Sequence, residues 1–260
     1  MSTVPALRDK VTTIRQMMTD NKAAFAAALP RHMNADRLIR VALTSFNLTP
    51  KLLDCTPRSL FGAVIQCAQL GLEPGVLGHA YLIPYGKDVQ LVIGYKGLIQ
   101  LSRRSGEIST VTAHEVRTKD KFTYQYGLEP KLVHVPSEDA DRGEISHFYA
   151  VVRLKDGGSQ FEVMTKAQVD LHRDRYSRAA KNGPWVTEYP EMGKKTVLRR
   201  VLKLSPASIE IQHAVVLDEH AELQIPQHLG DLAPLPPDEP EPAGALDQLA
   251  EQLAQPQPAA

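Results

Sequence analysis

The first seventy residues place apolar side chains at helical intervals. Apolar positions recur every three or four residues from Leu7 to Phe25, which predicts an amphipathic helix that ends at Pro30. A second helix is predicted to follow Asn34, a typical N-cap residue. A third is predicted from Thr56 to Gly71, since threonine favours the N-cap and glycine the C-terminal end of a helix. We expect residues 1 to 70 to form an N-terminal helical region.

The middle of the chain changes to the two-residue period of strands. The stretch HAYLIPYGKDVQLVIG predicts a β-hairpin that turns at Gly86-Lys87-Asp88, and Gly94 then leads into a short helix. Lys155-Asp156-Gly157-Gly158 predicts the turn of another hairpin, and the acidic stretch 136 to 144 an exposed loop. Strands are predicted at about 108 to 118, 120 to 127, 145 to 155 and 159 to 165.

Helical spacing returns at about 165 to 180 and 190 to 204. Helices, then strands interrupted by one helix, then helices again predict an α+β fold. We expect an antiparallel-rich sheet of about five strands with helices packed on it, and a core domain of residues 71 to 210.

Charge is segregated along a chain whose net charge is zero. Residues 218 to 260 contain nine acidic residues and no Lys or Arg, so the other 217 residues carry 30 basic and 21 acidic groups. The Pro-rich composition predicts that 218 to 260 form a flexible, disordered tail, in which Leu246, Leu249 and Leu253 are spaced to line a short helix. A basic body with an acidic tail favours a polyanionic partner.

The helix EMGKKTVLRRVLKL carries the densest group of cations. At 100° per residue, its valines and leucines share one side, while the opposite side carries Lys195, Arg199, Arg200 and Lys203. Lys194 falls on the apolar side, from which it must reach out to solvent. A solvated helix face is the plain alternative, but no acidic residue separates these cations, so we favour phosphate binding.

Two other helices add cations. The helix at 165 to 180 contributes Arg175 and Arg178, and the one after Gly94 contributes Lys96, Arg103 and Arg104. A groove that joined the three helices would bind a nucleic-acid backbone mainly by electrostatic attraction, with an affinity that falls as salt rises. Tyr81, Tyr124, Tyr126 and Trp185 are among the aromatic residues that could stack on bases, but core packing is the commoner role.

Several other functions lack their motifs. The sequence has no phosphate-binding Gly-Lys loop of ATPases and no dinucleotide fingerprint. Cys55 and Cys67 have no histidine at zinc-ligand spacing and form no disulfide framework. Neither a signal peptide nor a membrane span is evident, so we expect a cytoplasmic protein. A metal-dependent nuclease remains open, because distant carboxylates can converge in space.

Three linked blocks carry a family resemblance. QLGLEPGVLGHAYLIPYG, IGYKGLIQLSRRSGEI and PWVTEYPEMGKKTVLRRVLKLSP resemble, in order and separation, the signatures of the RecT family of phage and prophage single-strand annealing recombinases, over roughly Asn34 to Ser208. By position, the family's two basic helices correspond here to Lys96, Arg103, Arg104, Lys194, Lys195, Arg199 and Arg200. Gly193 departs from the alanine expected there, at a cost of up to ~1 kcal/mol in a helix interior.

The resemblance implies annealing of complementary single strands without ATP or catalysis, by oligomeric rings or filaments in the bacterial host cell. It also implies an exonuclease partner, and host single-strand-binding protein as a further one, although an acidic tail suits that acidic partner poorly. No cofactor is implied beyond Mg²⁺ that screens the DNA charge. Residues 1 to 70 are the candidate for protomer contacts, unless their apolar faces only cover the protein's own core.

Overall fold

The computed structural model describes residues 4–31, 33–75, 77–177, 180–181, 183–205 and 208–232. Its helices are α1 (Val4–Asp20), α2 (Lys22–Ala28), α3 (Ala35–Leu48), α4 (Pro57–Leu70), α5 (Tyr95–Arg104), α6 (Lys166–Tyr176), α7 (Pro184–Thr187), α8 (Tyr189–Leu204) and α9 (Ile209–Leu223). Its strands are β1 (Ala80–Tyr85), β2 (Asp88–Ile93), β3 (Ile108–Arg117), β4 (Lys121–Gln125), β5 (Lys131–Val135), β6 (Ile145–Leu154) and β7 (Ser159–Thr165). The predicted α+β class is confirmed.

The N-terminal helices begin and end at the residues that the sequence indicates. The Asn34 side chain accepts hydrogen bonds from two backbone N–H groups of α3, and the Thr56 hydroxyl accepts one from Ser59 at the start of α4. Gly71 ends α4 in the left-handed conformation. The predicted first helix is instead two, because the Asn21 side chain bonds the Met17 carbonyl and interrupts the helix between α1 and α2.

The strands form three antiparallel groups. β1 and β2 are the first predicted hairpin, β3, β6 and β7 form a three-stranded sheet in the order β3-β6-β7, and β4 pairs with β5 as a two-stranded ribbon. The second predicted hairpin joins β6 to β7. β5, the partner of β4, is not among the strands predicted from the sequence.

The ribbon lies on one face of the three-stranded sheet. Phe122 of β4 packs against Tyr149 of β6 with ring centroids 5.6 Å apart. The buried Asp120 carboxylate accepts hydrogen bonds from Arg142 and from the Ser137 backbone, so the acidic loop after β5 is fastened to the ribbon. Hydrogen bonds from the Arg142 guanidinium outweigh the effect of burial and hold the pKa of Asp120 well below its usual range.

Helix α8 packs on the opposite face of this sheet, at unusually close range. Phe148 of β6 is fully buried against Gly193, where a Cβ atom would lie less than 3.0 Å from three carbons of the phenyl ring. The glycine that departs from the family pattern therefore has a packing reason, since it admits the ring to the helix backbone.

The tail begins later than predicted, because residues 218 to 232 are folded onto the body. Residues 218 to 223 belong to α9, which was not predicted at all. Gln227 hydrogen bonds through its side chain to both the N–H and the carbonyl of Leu91, at the free edge of β2. Leu229 is buried, and the 3₁₀ turn Leu229–Leu232 packs along α4. The predicted terminal helix and the rest of the tail, 233 to 260, lie outside the described residues.

Candidate nucleic-acid interface

Two of the predicted DNA-binding residues are buried, which corrects the solvated face assigned to α8. Lys195 donates a hydrogen bond to Asp218 Oδ1 at 2.6 Å, and Arg199 donates to Asp218 Oδ2 at 2.9 Å and also to Glu222. Helix α9 covers this side of α8, and its two carboxylates meet the two cations one helical turn apart. Lys195 and Arg199 therefore join two helices and are not open to a phosphate.

Ion pairing keeps Arg199 and Glu222 of this buried cluster in their charged forms. Burial disfavours the charged form of Arg199, but Asp218 and Glu222 outweigh it and hold the guanidinium pKa above its usual value. Burial likewise raises the pKa of Glu222, yet the adjacent His172 ring, together with the charge and the hydrogen bond of Arg199, lowers it to about 2. Asp218 also accepts the Ile93 N–H at 3.1 Å, so a single carboxylate ties α8 to β2.

Arg104 also has a structural role. Its guanidinium donates to the carbonyls of Leu70 and Gly71, the last acceptors of α4. These carbonyls have no partner within their own helix, and a cation at a helix C-terminus is favourable. Burial lowers the Arg104 pKa somewhat. The residue holds α5 against α4, and these two bonds use only part of the donor capacity of an exposed side chain.

Three further predicted residues reach the surface in ion pairs. Lys194 bonds Glu191 at 2.5 Å, Arg200 bonds Glu162 at 2.7 Å and Lys203 bonds Glu219 at 2.5 Å. The acids for Arg200 and Lys203 come from β7 and α9, so inspection of α8 alone could not reveal them. Arg200 keeps more than half of its side chain exposed and uses only Nε in its pair, which leaves its other donors available.

Lys96, Arg103 and Arg175 are exposed and make no ion pair with any described residue. Lys96 and Arg103 are seven residues apart, so both lie on one side of α5. The Arg175 guanidinium lies 5.4 Å from the centre of the Tyr176 ring. Arg178 lies outside the described residues.

The start of α5 is fixed by close backbone contacts. The Gly94 N–H donates to the His79 carbonyl at 3.0 Å, and a Cβ atom on Gly97 would collide with the same carbonyl. The glycines of the IGYKG stretch thus press the helix against the loop before β1. The Lys96 side chain and the Tyr81 hydroxyl both approach Gly78, and Tyr81, a hairpin residue, is 44% exposed. A cation and an exposed aromatic ring are thereby placed together.

Three of the remaining cations, Arg175, Arg200 and Lys194, line two separate grooves. The α6–α8 groove is lined by Arg175, Arg200, Tyr126 and Tyr176 among others, with Glu162 as its acidic member. The β3-edge groove contains Lys194 with His114, His134, Arg142 and Tyr149, and with Glu115, which pairs with Arg117. Among the described residues, neither groove contains a residue of α5, so these grooves do not join the three predicted basic helices.

The sequence reading missed a third groove, which we call the sheet-face groove. It lies between β5 and the ribbon-side face of the three-stranded sheet, and its cations are Lys131 and Arg153. It shares His114, His134 and Tyr149 with the β3-edge groove, so the two are contiguous. No Asp or Glu lines it. Isolated cations on strands carry little sequence signal, because only the fold brings them together.

The aromatic residues divide between core and surface. Trp185 is buried beside Tyr189 with ring centroids 6.1 Å apart, which confirms a packing role. Tyr126 stacks on Phe161, and its hydroxyl accepts the Val163 N–H at 2.9 Å, although half of the residue is exposed. Tyr81 and Tyr124 are also partly exposed and present ring surface to solvent.

Other chemistry finds little support in the described part of the chain. No group of three or more His, Cys, Asp or Glu side chains there is arranged to hold a metal ion. Cys55 and Cys67 are both buried free thiols, and burial raises the pKa of Cys67 to about 12. Among the same residues, no helix is long and apolar enough to cross a bilayer.

Comparison with known proteins identifies the family. The RecT family profile matches residues 36–228. Protein RecT of Escherichia coli (strain K12) is 53% identical over 213 residues, which cover 78% of each chain. Uncharacterized protein YqaK of Bacillus subtilis (strain 168) is 28% identical over 185 residues, 70% of this chain and 64% of YqaK. The chain belongs to the RecT family, whose members are annealing proteins of DNA recombination.

Proposed function

We propose that the protein anneals complementary single strands of DNA without ATP, and that it holds the first strand along α5 and the β3-edge groove. The observation that carries this proposal is the position of the unpaired cations Lys96 and Arg103, on one side of a helix that is fixed beside an exposed tyrosine. Cations bind a sugar-phosphate backbone without reading its sequence, and an aromatic ring can stack on any base.

The path from α5 to the groove runs over the start of α8. Helix α5 packs against α8, and the raised pKa of Tyr95, caused by burial and then by the charge of Glu191, reflects how closely the two helices meet. Glu191 in turn pairs with Lys194, which lines the β3-edge groove. A backbone phosphate would compete with Glu191 for this lysine. Arg175 and Arg200 form a separate, secondary contact in the α6–α8 groove.

Annealing makes and breaks no covalent bond, so the protein needs only to keep one strand extended and let the other test its register. Along α5 and the β3-edge groove each protomer offers few cations, so tight binding calls for protomers in a row, as a ring or filament. The N-terminal region is the proposed protomer contact. Mg²⁺ acts here only by screening DNA charge. The proposed partners are an exonuclease that exposes single strands and the host single-strand-binding protein. The proposed location is the cytoplasm.

The test mixes two complementary oligonucleotides, each with one dye of an energy-transfer pair, with purified protein and no nucleotide. Samples then run on a denaturing gel. Faster pairing with strands of unchanged length is the expected result. Shortened strands in Mg²⁺ or Mn²⁺ would indicate a nuclease instead. Binding without faster pairing would reduce the protein to a passive coat.

A further inference from the structure

The sheet-face groove is built differently from the other two. Its cations, Lys131 and Arg153, are exposed and make no ion pair with a described residue, and no carboxylate lines the groove. In the α6–α8 groove Arg200 already holds Glu162, and in the β3-edge groove Lys194 already holds Glu191. Among the described residues, the sheet-face groove is therefore the one of these three grooves whose cations have no carboxylate in the lining.

Its walls suit a nucleic acid better than a small anion. Phe161 supplies partly exposed aromatic surface, Tyr149 lies buried beneath Phe122 at the base of the groove, and the exposed Ser109, Thr112 and Ser159 supply hydroxyl groups beside the cations. Cations bind phosphates, hydroxyl groups hydrogen bond to phosphate or sugar oxygens, and aromatic rings stack on bases, which together are the elements of a single-strand site. The groove is long and open, because the β4–β5 ribbon covers the sheet at Tyr149 and leaves the end at Arg153 uncovered.

The position of the sheet-face groove indicates which of the two DNA strands it binds. Three residues, His114, His134 and Tyr149, form a common wall with the β3-edge groove, where the proposed function places the first strand. A strand in the sheet-face groove would therefore lie next to the first one where the two grooves meet. Two strands held in this way meet at high local concentration, which is the condition that pairing requires.

We propose that the sheet-face groove is a second DNA site, which holds the incoming complementary strand through Lys131 and Arg153. This inference rests on the proposed function. It adds that the second strand is bound by the protein before it pairs, rather than captured from solution by the bases of the first strand.

The test compares Lys131→Ala/Arg153→Ala with Lys121→Ala/Lys155→Ala. The control removes the same charge from exposed lysines that line none of the three grooves. We expect the first variant to bind a labelled single strand within about twofold of wild type but to pair it about tenfold more slowly at moderate salt. The control should match wild type in both measurements, and Lys131→Arg/Arg153→Lys should keep the pairing rate.

Either of two results would overturn the proposal. One is a pairing rate for Lys131→Ala/Arg153→Ala that equals that of the control. The other is an equal loss of first-strand affinity, which would make the groove part of the first site.

A second readout needs no pairing and so separates this inference from the proposed function. Protein saturated with one unlabelled strand is titrated with a labelled non-complementary strand. Weaker capture by Lys131→Ala/Arg153→Ala than by the control supports the second site, even if the wild-type protein did not accelerate annealing. Equal capture by both variants removes the site.

Discussion

At the scale of single residues, the structure separates cations that look alike in the sequence. Lys195 and Arg199 are buried against α9, whereas Lys96 and Arg103 are exposed and unpaired. A helical wheel places side chains around one helix but does not show which neighbour covers each side. One signal was present: Asp218 and Glu222 have the same four-residue spacing as Lys195 and Arg199. The expectation that Lys195 and Arg199 bind phosphate is replaced by a role in stability.

Asp218→Asn should destabilise the fold strongly. It leaves two buried cations with Glu222 as their remaining carboxylate, and removal of one partner from a buried ion pair typically costs ~3–5 kcal/mol. The free energy of unfolding from urea titration measures the loss. Glu219→Gln on the same helix is the control, because its pair with Lys203 is exposed and is worth at most ~1 kcal/mol. Equal effects of the two substitutions would contradict the role given to Asp218.

Gly193→Ala should also destabilise the protein, by ~1–3 kcal/mol. Helix propensity alone predicts the opposite, a gain of up to ~1 kcal/mol. The reason is the Phe148 ring, which occupies the space that a Cβ atom needs. In a protein that already carries Phe148→Leu, Gly193→Ala should cost less stability than it does in the wild type, because the ring that it would meet is gone. Urea titration of Gly193→Ala, Phe148→Leu and the double variant measures this coupling. A more stable Gly193→Ala protein would show that the contact is relaxed in solution.

At the scale of elements, residues close to each end of a helix or strand predict most of these ends. The other elements depend on tertiary contacts. The caps of α3 and α4, the β1–β2 hairpin and the turn between β6 and β7 all follow from residues within a few positions of each boundary. Helix α9 is not among the helices predicted from the sequence, and the C-terminal part of this helix falls in the acidic segment that the composition predicts as a tail. Its acidic residues are not all solvated, since Asp218 and Glu222 neutralise cations of α8.

The attachment of α9 to α8 should weaken in acid. The pKa of Glu222 is lowered to about 2 in the folded protein, below its ordinary value near 4.5. The folded state therefore binds fewer protons than the unfolded state between these values, so the stability from Glu222 is present above about pH 5 and is lost as the pH falls towards 2. Glu222→Gln should flatten this part of the stability curve, measured by urea titration at a series of pH values. Curves that stay parallel would contradict the role of Glu222.

At the scale of the whole molecule, the fold distributes its exposed cations over several grooves. The α+β class and the antiparallel pairing were predictable from the periodicity of the sequence. The grooves were not, because Lys131, Arg153 and Lys194 come from different elements and meet only after the sheet, the ribbon and α8 have packed together. The central claim is that the exposed, unpaired cations of α5, Lys96 and Arg103, bind the DNA backbone, while the buried cations of α8, Lys195 and Arg199, hold the fold together.

The most direct test of that claim is a salt titration of single-strand binding by Lys96→Ala/Arg103→Ala. Lys51→Ala/Lys121→Ala, which also removes two exposed lysines, is the control. Fluorescence anisotropy gives the binding constant at each salt concentration. We predict that the slope of log K against log salt becomes shallower by about 1.4 in the first variant and stays at the wild-type value in the control. An unchanged affinity and slope in Lys96→Ala/Arg103→Ala would remove α5 from the DNA-binding surface and contradict the account.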